Sequence, residues 1–454
     1  MSAPADSVVA GKAEPLPKAQ NIDLEDPVPA PDQPPADTGE PLLPQAETRD
    51  SVVPPASAPA APGVASQMGQ PVAEPQAPEG ADGAALQVTQ DATVPPLVIL
   101  GKEVESGTSA RLSWVPAQSF EGIFSATPVM IVHGSRPGPV LCLTAAVHGD
   151  ELNGIETVRR VLYGLDASRL SGTVIGVPIV NLQGFHRSSR YLADRRDLNR
   201  FFPGDPNGSL ASRIAHSFFE EVVRHCSALV DLHTGSYHRI NMPQVRADLH
   251  HPEVLELSRG FGATVMLHSD GAVGTLRRAA TEAGVPAVTL EAGGSMLLDE
   301  KSVNHSFQAI QSLLHHLEMV SRFSLWGQPE PVFYKSSWQR APVGGVIFSS
   351  VKLGDTVTRG ELLGTITNPI TNVRTELFSN YTGRILGMAL NQFVQPGFAA
   401  YHIGIQAPPE DLLAESAGSA GANEPLPVDE ESDSSSSSSY EMPEEDPVEA
   451  PLED

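Results

Sequence analysis

The stretch that decides the fold is Ala145-Ala146-Val147-His148-Gly149-Asp150-Glu151-Leu152-Asn153-Gly154. The apolar run at residues 140–147 leads into it and predicts a buried strand. Residues 151–163 have helical spacing, with Asp150 as the predicted N-cap. His148 therefore stands where the strand ends, three residues before Glu151 in the first turn of the helix.

A strand-to-helix turn with this spacing lets the imidazole of His148 and the carboxylate of Glu151 converge on one point. A metal ion needs such convergence, because it must collect several ligands at about 2.0–2.2 Å. The pair alone is a weak signal, since an H-x-x-E spacing occurs by chance in many chains. A solvated helix start is the better explanation of the pair until a second half of the site is found.

That second half is Leu229-Val230-Asp231-Leu232-His233-Thr234-Gly235, again a short apolar strand that ends in a histidine. Two histidines and one glutamate leave a fourth position for water, as in a catalytic zinc site. The sequence therefore predicts one zinc ion per chain on His148, Glu151 and His233. Asp231 lies on the same strand face as His233, where it either orients an imidazole or is a buried structural residue.

Two further segments stand in a characteristic order with these halves: Arg190-Tyr191-Leu192-Ala193-Asp194-Arg195-Arg196-Asp197-Leu198-Asn199-Arg200, and Pro286-Ala287-Val288-Thr289-Leu290-Glu291-Ala292-Gly293-Gly294. In this order the set resembles the succinylglutamate desuccinylase/aspartoacylase family of the zinc carboxypeptidase superfamily. The resemblance covers roughly residues 98–317.

The resemblance implies a role for each of four residues. Glu291 would be the general base, and Arg190 would help to polarise the scissile carbonyl. Asn199 and Arg200 would face the free carboxylate of the amino-acid part of the substrate, a task that suits the planar fork of arginine.

Three other arginines leave alternatives open. The interval from Arg190 to Asn199 is longer than expected for aspartoacylase itself, so Arg195 and Arg196 compete with Arg190 for the same role. Arg277 is a candidate for a second carboxylate of the substrate, with a structural salt bridge as the alternative.

Strands alternate with helices between residues 96 and 328, which predicts an α/β catalytic domain with a mixed sheet flanked by helices, as in the zinc carboxypeptidases. Residues 181–185 are predicted to be a loop, and residues 210–223 an amphipathic helix. Ligands of such sheets bind beyond the carboxyl ends of the strands. His148, His233 and Glu291 each lie at such an end, so we expect one shared crevice.

The pattern changes near residue 331, where short alternating strands are punctuated by glycine and helix signals stop. Residues 329–408 resemble the barrel-sandwich fold of biotinyl and lipoyl carriers. A carrier needs a lysine at the tip of its central hairpin, and residues 372–380 contain none. We therefore expect a small C-terminal all-β domain that caps the cleft, as family members carry, and no attached cofactor.

The two ends of the chain, residues 1–95 and 409–454, are predicted to be disordered. The first carries 18 of the 41 prolines, and neither end has enough apolar residues to offset the entropy lost on ordering. The ends also hold the whole net charge of −26, because the middle balances 26 acidic against 26 basic residues. With no concentrated basic surface, a nucleic-acid partner is disfavoured.

The compartment is predicted from what the sequence lacks. No secretory signal pattern follows Met1, and no run of 18 apolar residues predicts a membrane helix. Cys142 and Cys226 lie in apolar stretches, which favours buried thiols over a disulfide. These features predict a cytoplasmic protein without a membrane partner, and they do not exclude a homo-oligomer.

The combined pattern predicts a zinc-dependent amidohydrolase. The expected reaction is hydrolysis of a small N-acyl amino acid to a carboxylate and a free amino acid, by a deacylase similar to desuccinylase or aspartoacylase. Two alternatives remain open: a zinc carboxypeptidase acting on a peptide or cell-wall peptide, and a metal-free binding protein on the same scaffold. The sequence leaves the acyl group and the amino acid undetermined.

Overall fold

The computed structural model describes residues 11–12, 14–15, 94–116, 126–236, 238–321, 332–390 and 392–408. Its helices are α1 (Asn153–Tyr163), α2 (Leu182–Phe185), α3 (Leu210–Glu221), α4 (Pro252–Arg259), α5 (Leu276–Glu282) and α6 (Glu300–His316), with 3₁₀ turns at Leu198–Arg200 and Val223–His225. Its strands are β1 (Gly11–Lys12), β2 (Glu14–Pro15), β3 (Leu97–Ile99), β4 (Lys102–Val104), β5 (Thr108–Trp114), β6 (Thr127–His133), β7 (Arg136–Ala145), β8 (Ser171–Val177), β9 (Ala228–Gly235), β10 (Arg239–Ala247), β11 (Val265–His268), β12 (Ala287–Gly294), β13 (Val332–Arg340), β14 (Gly345–Ser349), β15 (Thr356–Val357), β16 (Leu362–Thr367), β17 (Arg374–Phe378), β18 (Gly383–Ala389), β19 (Gln392–Val394) and β20 (Ala399–Gln406).

One large mixed sheet runs through the molecule in the order β15-β18-β20-β13-β11-β10-β12-β9-β7-β8-β6-β5-β2. Its centre, β12-β9-β7-β8, is parallel, as the alternation of strands and helices predicts. β10 breaks this pattern, because it runs antiparallel to β12. The fold is therefore mixed α/β, with the carboxyl ends of β7, β9 and β12 at one edge of the sheet.

Each face of the central sheet has its own apolar core. Leu229 of β9 belongs to the core under α3 and α5, and Val230 belongs to the core under α1, α4 and α6. The two neighbours separate because successive side chains of a strand point to opposite faces. Asp231 and His233 follow Leu229 in this alternation, which brings both to one face of β9.

The turn after β7 differs in detail from the prediction. The strand ends at Ala145, and α1 begins at Asn153, two residues later than expected. Asp150 is not the N-cap; Leu152 holds that position and makes no side-chain capping bond. Gly149 is required here because a Cβ atom would lie 2.0 Å from the backbone of Gly184.

The segment predicted as a loop at residues 181–185 contains the short helix α2. The side chain of Asn181 accepts a hydrogen bond from the backbone N–H of Gly184 and caps this turn. An Asn cap satisfies a backbone donor that the first helical turn leaves unpaired, and this local bond was missed. The amphipathic helix predicted at residues 210–223 is present as α3, which ends at Glu221.

Among the described residues after 331, every regular element is a strand. β14, β16, β17 and β19 form a separate four-stranded sheet, whereas β13, β15, β18 and β20 extend the large sheet. An apolar core shared by both sheets includes Ile347, Leu363, Ile385 and Ile403. We call these elements the β-domain. The boundary predicted at residue 328 lies outside the described residues.

Cys142 and Cys226 form a disulfide, with 5.7 Å between their Cα atoms. The prediction of two buried thiols is therefore wrong, although both residues are buried. Their separation of 84 residues concealed the proximity. Disulfides are rare in a reducing cytosol, so the cysteines no longer support a cytoplasmic location, which stays a prediction.

Most of the two ends predicted to be disordered lies outside the described residues. Four residues depart from that prediction: β1 pairs with β4, and β2 pairs with β5. In the part of the chain that the structure describes, no helix is both long enough and apolar enough to cross a membrane.

Candidate metal and substrate site

The predicted site residues of three neighbouring strands meet at one edge of the sheet. His148 follows β7, His233 lies near the end of β9, and Glu291 lies in β12 directly opposite His233. Because β7, β9 and β12 are parallel neighbours, their carboxyl ends coincide. The sheet order thus brings together residues that are far apart along the chain.

His148, Glu151 and His233 are buried and in mutual contact. His148 Nδ1 lies 2.8 Å from Glu151 Oε1 and 3.1 Å from His233 Nδ1. His233 Nδ1 lies 2.9 Å from Glu151 Oε2. The three potential ligand atoms therefore face one another, with the backbone N–H of Thr234 as a further donor to Glu151 Oε2.

The opposite nitrogen of each imidazole contacts a carboxylate. His148 Nε2 lies 3.1 Å from Asp197 Oδ1, and His233 Nε2 lies 2.7 Å from Asp231 Oδ2. Asp231 is held in turn by the hydroxyl of Thr144, which donates to its Oδ1. When Nε2 donates its proton to such a carboxylate, the Nδ1 atom of a neutral imidazole keeps the lone pair that a metal ion would need. Of the two readings open for Asp231, the geometry favours orientation of the imidazole.

The charges around the two histidines favour a cation. Burial opposes charge on His148, as does the Arg190 guanidinium, but Glu151 and Asp197 outweigh them and raise the pKa of the imidazole. Burial likewise opposes charge on His233, yet Asp231 and Glu151 raise its pKa well above the usual range. Burial opposes ionisation of Glu151, but the two imidazoles hold the pKa of its carboxyl far below the usual range.

This donor set fits a zinc ion. Ligand atoms at 2.0–2.1 Å around a tetrahedral zinc are about 3.3 Å apart, close to the 2.8–3.1 Å seen here. Two imidazole nitrogens and a carboxylate are also zinc's usual ligands. Without a cation or a proton, three electron-rich atoms would face one another in a buried site.

Among the competing arginines, Arg190 is the one that borders these ligands. Its guanidinium is buried, donates through Nε and Nη2 to Asp197, and places Nη1 3.2 Å from His148 Nδ1. Arg195 and Arg196 are exposed, and Arg196 pairs with Asp194. The geometry therefore favours Arg190, although its contribution to the reaction stays a prediction.

Glu291 is buried beside a cavity that three arginines help to line. The lining includes Asn199, Arg200, His233, Arg246, Arg277 and Glu291. The Asn199 side-chain oxygen accepts a hydrogen bond from the Leu276 backbone N–H, which leaves its amide NH₂ as the group able to donate outward. Arg277 is buried and donates to the backbone carbonyl of Ser269. Whether Arg277 binds a second carboxylate of the substrate or forms a structural salt bridge stays a prediction.

Sequence reasoning missed three residues of this site. Asp197 contacts both His148 and Arg190, and its position just before the predicted Asn-Arg pair could have drawn attention to it. Arg246 and Asn241 lie on β10, a strand that the apolar pattern of the sequence does not predict. Arg246 Nε is 3.8 Å from Glu291 Oε1, and Asn241 donates to Glu291 Oε2 over 3.0 Å.

A second group of ligand-type residues consists of Asp248, His250, His268 and Asp270. We call it the outer cluster, because His250 and Asp270 are exposed to solvent. A separate cavity of about 850 Å³ lies at the far end of α1, and none of the predicted site residues lines it.

Comparison with known families decides the family. Residues 137–317 match the sequence model described as the succinylglutamate desuccinylase/aspartoacylase catalytic domain. This segment is a succinylglutamate desuccinylase/aspartoacylase catalytic domain. The matched range contains every residue that the sequence assigned to the metal, the base and the substrate carboxylates.

Relatives of this desuccinylase/aspartoacylase domain support the assignment. The chain is 28% identical over 267 residues to the N-alpha-acetyl-L-2,4-diaminobutyric acid deacetylase of Halomonas elongata, covering 56% of this chain and 78% of that one.

Two solved structures have the same fold. The succinylglutamate desuccinylase/aspartoacylase of Rhodobacter sphaeroides aligns with a TM-score of 0.60 at 22% identity, over 67% of this chain and 97% of that one. The product-bound ectoine utilization protein EutE (DoeB) of Ruegeria pomeroyi aligns with a TM-score of 0.59 at 22% identity, over 70% of this chain and 100% of that one.

Proposed function

We propose that this protein hydrolyses the amide bond of a small N-acyl amino acid with one zinc ion per chain. The observation that carries the proposal is the buried contact of His148, Glu151 and His233 next to the carboxylate of Glu291. The name of the Halomonas relative, a deacetylase of an acetylated amino acid, supports the same reaction class.

His148, Glu151 and His233 would hold the zinc ion, with Asp197 and Asp231 keeping each Nδ1 turned toward it. When bound, zinc supplies Lewis acidity that lowers the pKa of a water molecule toward neutrality. Burial of the three ligands excludes bulk water, which strengthens every electrostatic interaction at this point.

Glu291 acts as the general base in this proposal. Its carboxylate takes one proton from the attacking water as the oxygen–carbon bond forms. The same proton passes to the nitrogen as the carbon–nitrogen bond breaks, which releases a carboxylic acid and a free amine. The acid then ionises to a carboxylate at neutral pH. Arg190 would stabilise the negative charge on the former carbonyl oxygen through its guanidinium.

The substrate would be oriented by its charge. Asn199 and Arg200 would bind the α-carboxylate of the amino-acid part, because a guanidinium matches a carboxylate with two parallel hydrogen bonds. Arg277 and Arg246 line the same cavity. Three guanidinium groups favour a second anionic group on the substrate and disfavour an amine there. We therefore propose an acidic N-acyl amino acid as the preferred substrate.

A panel of zinc-loaded assays tests this function. N-acetyl, N-succinyl and N-formyl derivatives of aspartate, glutamate, alanine and 2,4-diaminobutyrate are compared, together with short peptides that have a free C-terminus. We expect the acidic derivatives to be hydrolysed fastest and the diaminobutyrate derivatives slowest. Faster cleavage of the peptides would favour the carboxypeptidase alternative, and no turnover of any compound would favour the binding protein.

A further inference from the structure

Asn241 of β10 makes a side-chain hydrogen bond to Glu291, the proposed general base. It is buried on β10, and its side-chain Nδ2 donates to Glu291 Oε2 over 3.0 Å. In register it lies opposite Gly293, two residues beyond Glu291 on the antiparallel strand β12. Diagonal neighbours of this kind are within reach of each other across a strand pair.

The other edge of β10 is shared between two partners. β11 pairs with residues 244–247, whereas β18 of the β-domain pairs with residues 239–241. Asn241 is therefore placed directly between the strand that carries Glu291 and a strand of the β-domain. A register shift between Asn241 and Gln244 accompanies this change of partner.

Gly387 of β18 lies opposite Asn241 in the strand register, next to its side-chain amide. A Cβ atom at this position would lie only 2.5 Å from Asn241 Oδ1, so a larger residue would push the amide away. Behind Gly387, the ring of His402 stacks on Trp338 with 4.4 Å between centroids. His402 is buried and Trp338 is half-buried.

β10 is also fastened to the β-domain next to Asn241. The Arg239 guanidinium lies over the ring of Trp338 at 5.3 Å and near the ring of Phe398 at 5.7 Å. Such cation–π contacts strengthen when they are desolvated, and Arg239 is buried. The start of β10 is thus anchored to the β-domain by packing as well as by strand pairing.

We propose that Asn241 is a positioning residue for Glu291, and that the β-domain holds it in place through Gly387. The proposal rests on the hydrolase function put forward above. A hydrogen bond from the amide to one carboxylate oxygen fixes the rotation of the carboxylate, so that the base meets the water in a productive direction. The β-domain would then contribute to catalysis by orienting a group on another domain, beyond covering the cleft.

A double-mutant cycle tests the proposal in the full-length, zinc-loaded protein. Asn241→Ala removes the donor, and loss of a hydrogen bond to a charged group should lower kcat by about ten- to a hundredfold. KM and zinc content should change little, since the hydrogen bond that Asn241 Nδ2 makes within the described part of the chain goes to Glu291. In a Glu291→Gln background the same substitution should cause no further loss, because it acts through Glu291.

A structural role would give a different result in this cycle. If Asn241 only stabilised the fold, its loss would lower activity by the same factor with or without Glu291. Multiplicative losses, or an unchanged kcat in Asn241→Ala, would overturn the proposal.

Gly387→Ala tests the contribution of the β-domain. The added methyl group should displace the Asn241 amide and lower kcat to a similar extent. The matched control is Gly344→Ala, where the nearest atom to the new Cβ lies at an ordinary 3.4 Å. In an Asn241→Ala background Gly387→Ala should cost no more activity, because the displaced group is absent. A loss in this background equal to that in the wild type would contradict the link.

A measurement without substrate separates this inference from the proposed function. In protein with ¹⁵N-labelled asparagine, one Nδ2 proton of Asn241 should be shifted downfield by the charged acceptor. Glu291→Ala should remove that shift and leave the other asparagine signals unchanged. If the wild type hydrolyses no compound of the panel, the proposed function fails while this signal still reports the contact. If the signal is absent or insensitive to Glu291→Ala, the positioning contact is disproved.

Discussion

Two groups of histidine and carboxylate side chains offer the same chemical types of ligand, yet they differ in burial and in the partners of their ring nitrogens. The inner cluster is His148, Glu151 and His233, and the outer cluster is Asp248, His250, His268 and Asp270. The inner ligands are at most 5% exposed, whereas the side chain of Asp270 is 55% exposed. Buried carboxylates and imidazoles interact strongly with one another, and water screens the exposed ones.

The two clusters also differ in the hydrogen-bond partners of their imidazole nitrogens. In the inner cluster the Nε2 atoms face Asp197 and Asp231, an arrangement that leaves the Nδ1 lone pair of each neutral imidazole available to a metal. In the outer cluster His268 Nδ1 accepts a hydrogen bond from the backbone N–H of Leu249. The Nε2 atom of a neutral His268 then carries the proton and cannot be a ligand. The two clusters thus share the same ligand types, and the partner of the second ring nitrogen is what distinguishes them.

The largest expected effect separates the two clusters by metal content. His233→Ala should lose zinc and all measurable turnover, because one of three protein ligands is removed from a buried site. His250→Ala is the matched control in the outer cluster and should retain one zinc per chain. Metal analysis and turnover are measured on both variants. Equal zinc content in the two would mean that the inner cluster is not the metal site.

The next effect separates metal binding from chemistry within the inner site. Glu291→Gln keeps the shape of the side chain but cannot accept a proton. Turnover should fall by at least about a hundredfold, the usual contribution of a general base, while zinc remains bound. Glu256→Gln on the exposed face of α4 is the control and should leave turnover unchanged. Near-normal turnover in Glu291→Gln would remove this residue from the mechanism.

A smaller effect is expected from the carboxylate behind a ligand. Asp231→Asn should weaken zinc binding by about ten- to a hundredfold, as is typical when the partner of a metal-binding histidine is replaced. Asp248→Asn makes the same change in the outer cluster and should leave zinc affinity unaltered. Competition with a chelator of known affinity measures both. The comparison between clusters would lose its basis if the two variants behaved alike.

The smallest expected effect is the pH dependence of stability, which has opposite signs in the two clusters. The pKa values of His148 and His233 are raised from the usual 6.5, so their contribution to stability is complete below pH 6.5 and is lost as pH rises through the folded values. Burial and the neighbouring His250 lower the pKa of His268, so its contribution is present above pH 6.5 and is lost as pH falls.

Thermal unfolding of zinc-free protein checks these signs. Tm should fall by a few degrees as pH rises above 6.5. Replacing His233 by Asn should weaken this trend, whereas replacing His268 by Asn should leave it in place. With zinc bound the trend should reverse, because protons compete with the metal for the ligands. A zinc-free protein whose Tm rises throughout would show that the inner histidines are not the dominant titrating groups.

The convergence of the candidate site residues at one edge of the sheet was predictable because its signals are local. His148, His233 and Glu291 each follow a short apolar strand, and a buried strand with a turn after it is recognisable from a few residues. The mixed sheet and the β-domain follow from alternating patterns in the same way. β10 escaped detection because Asn241, Gln244 and Arg246 interrupt its apolar pattern, and Pro243 is unusual within a strand.

The sequence by itself determined which ligand types this protein carries, in which order, and at which strand ends. Only the tertiary structure decided what surrounds them: the contact of Asn241 with Glu291 across 50 residues, the disulfide across 84, and the pairing of β18 with β10. The physical reason is that hydrophobic periodicity reports which face of an element is buried, but not which element covers it. Strand order and register make that choice, and they result from packing of the whole chain.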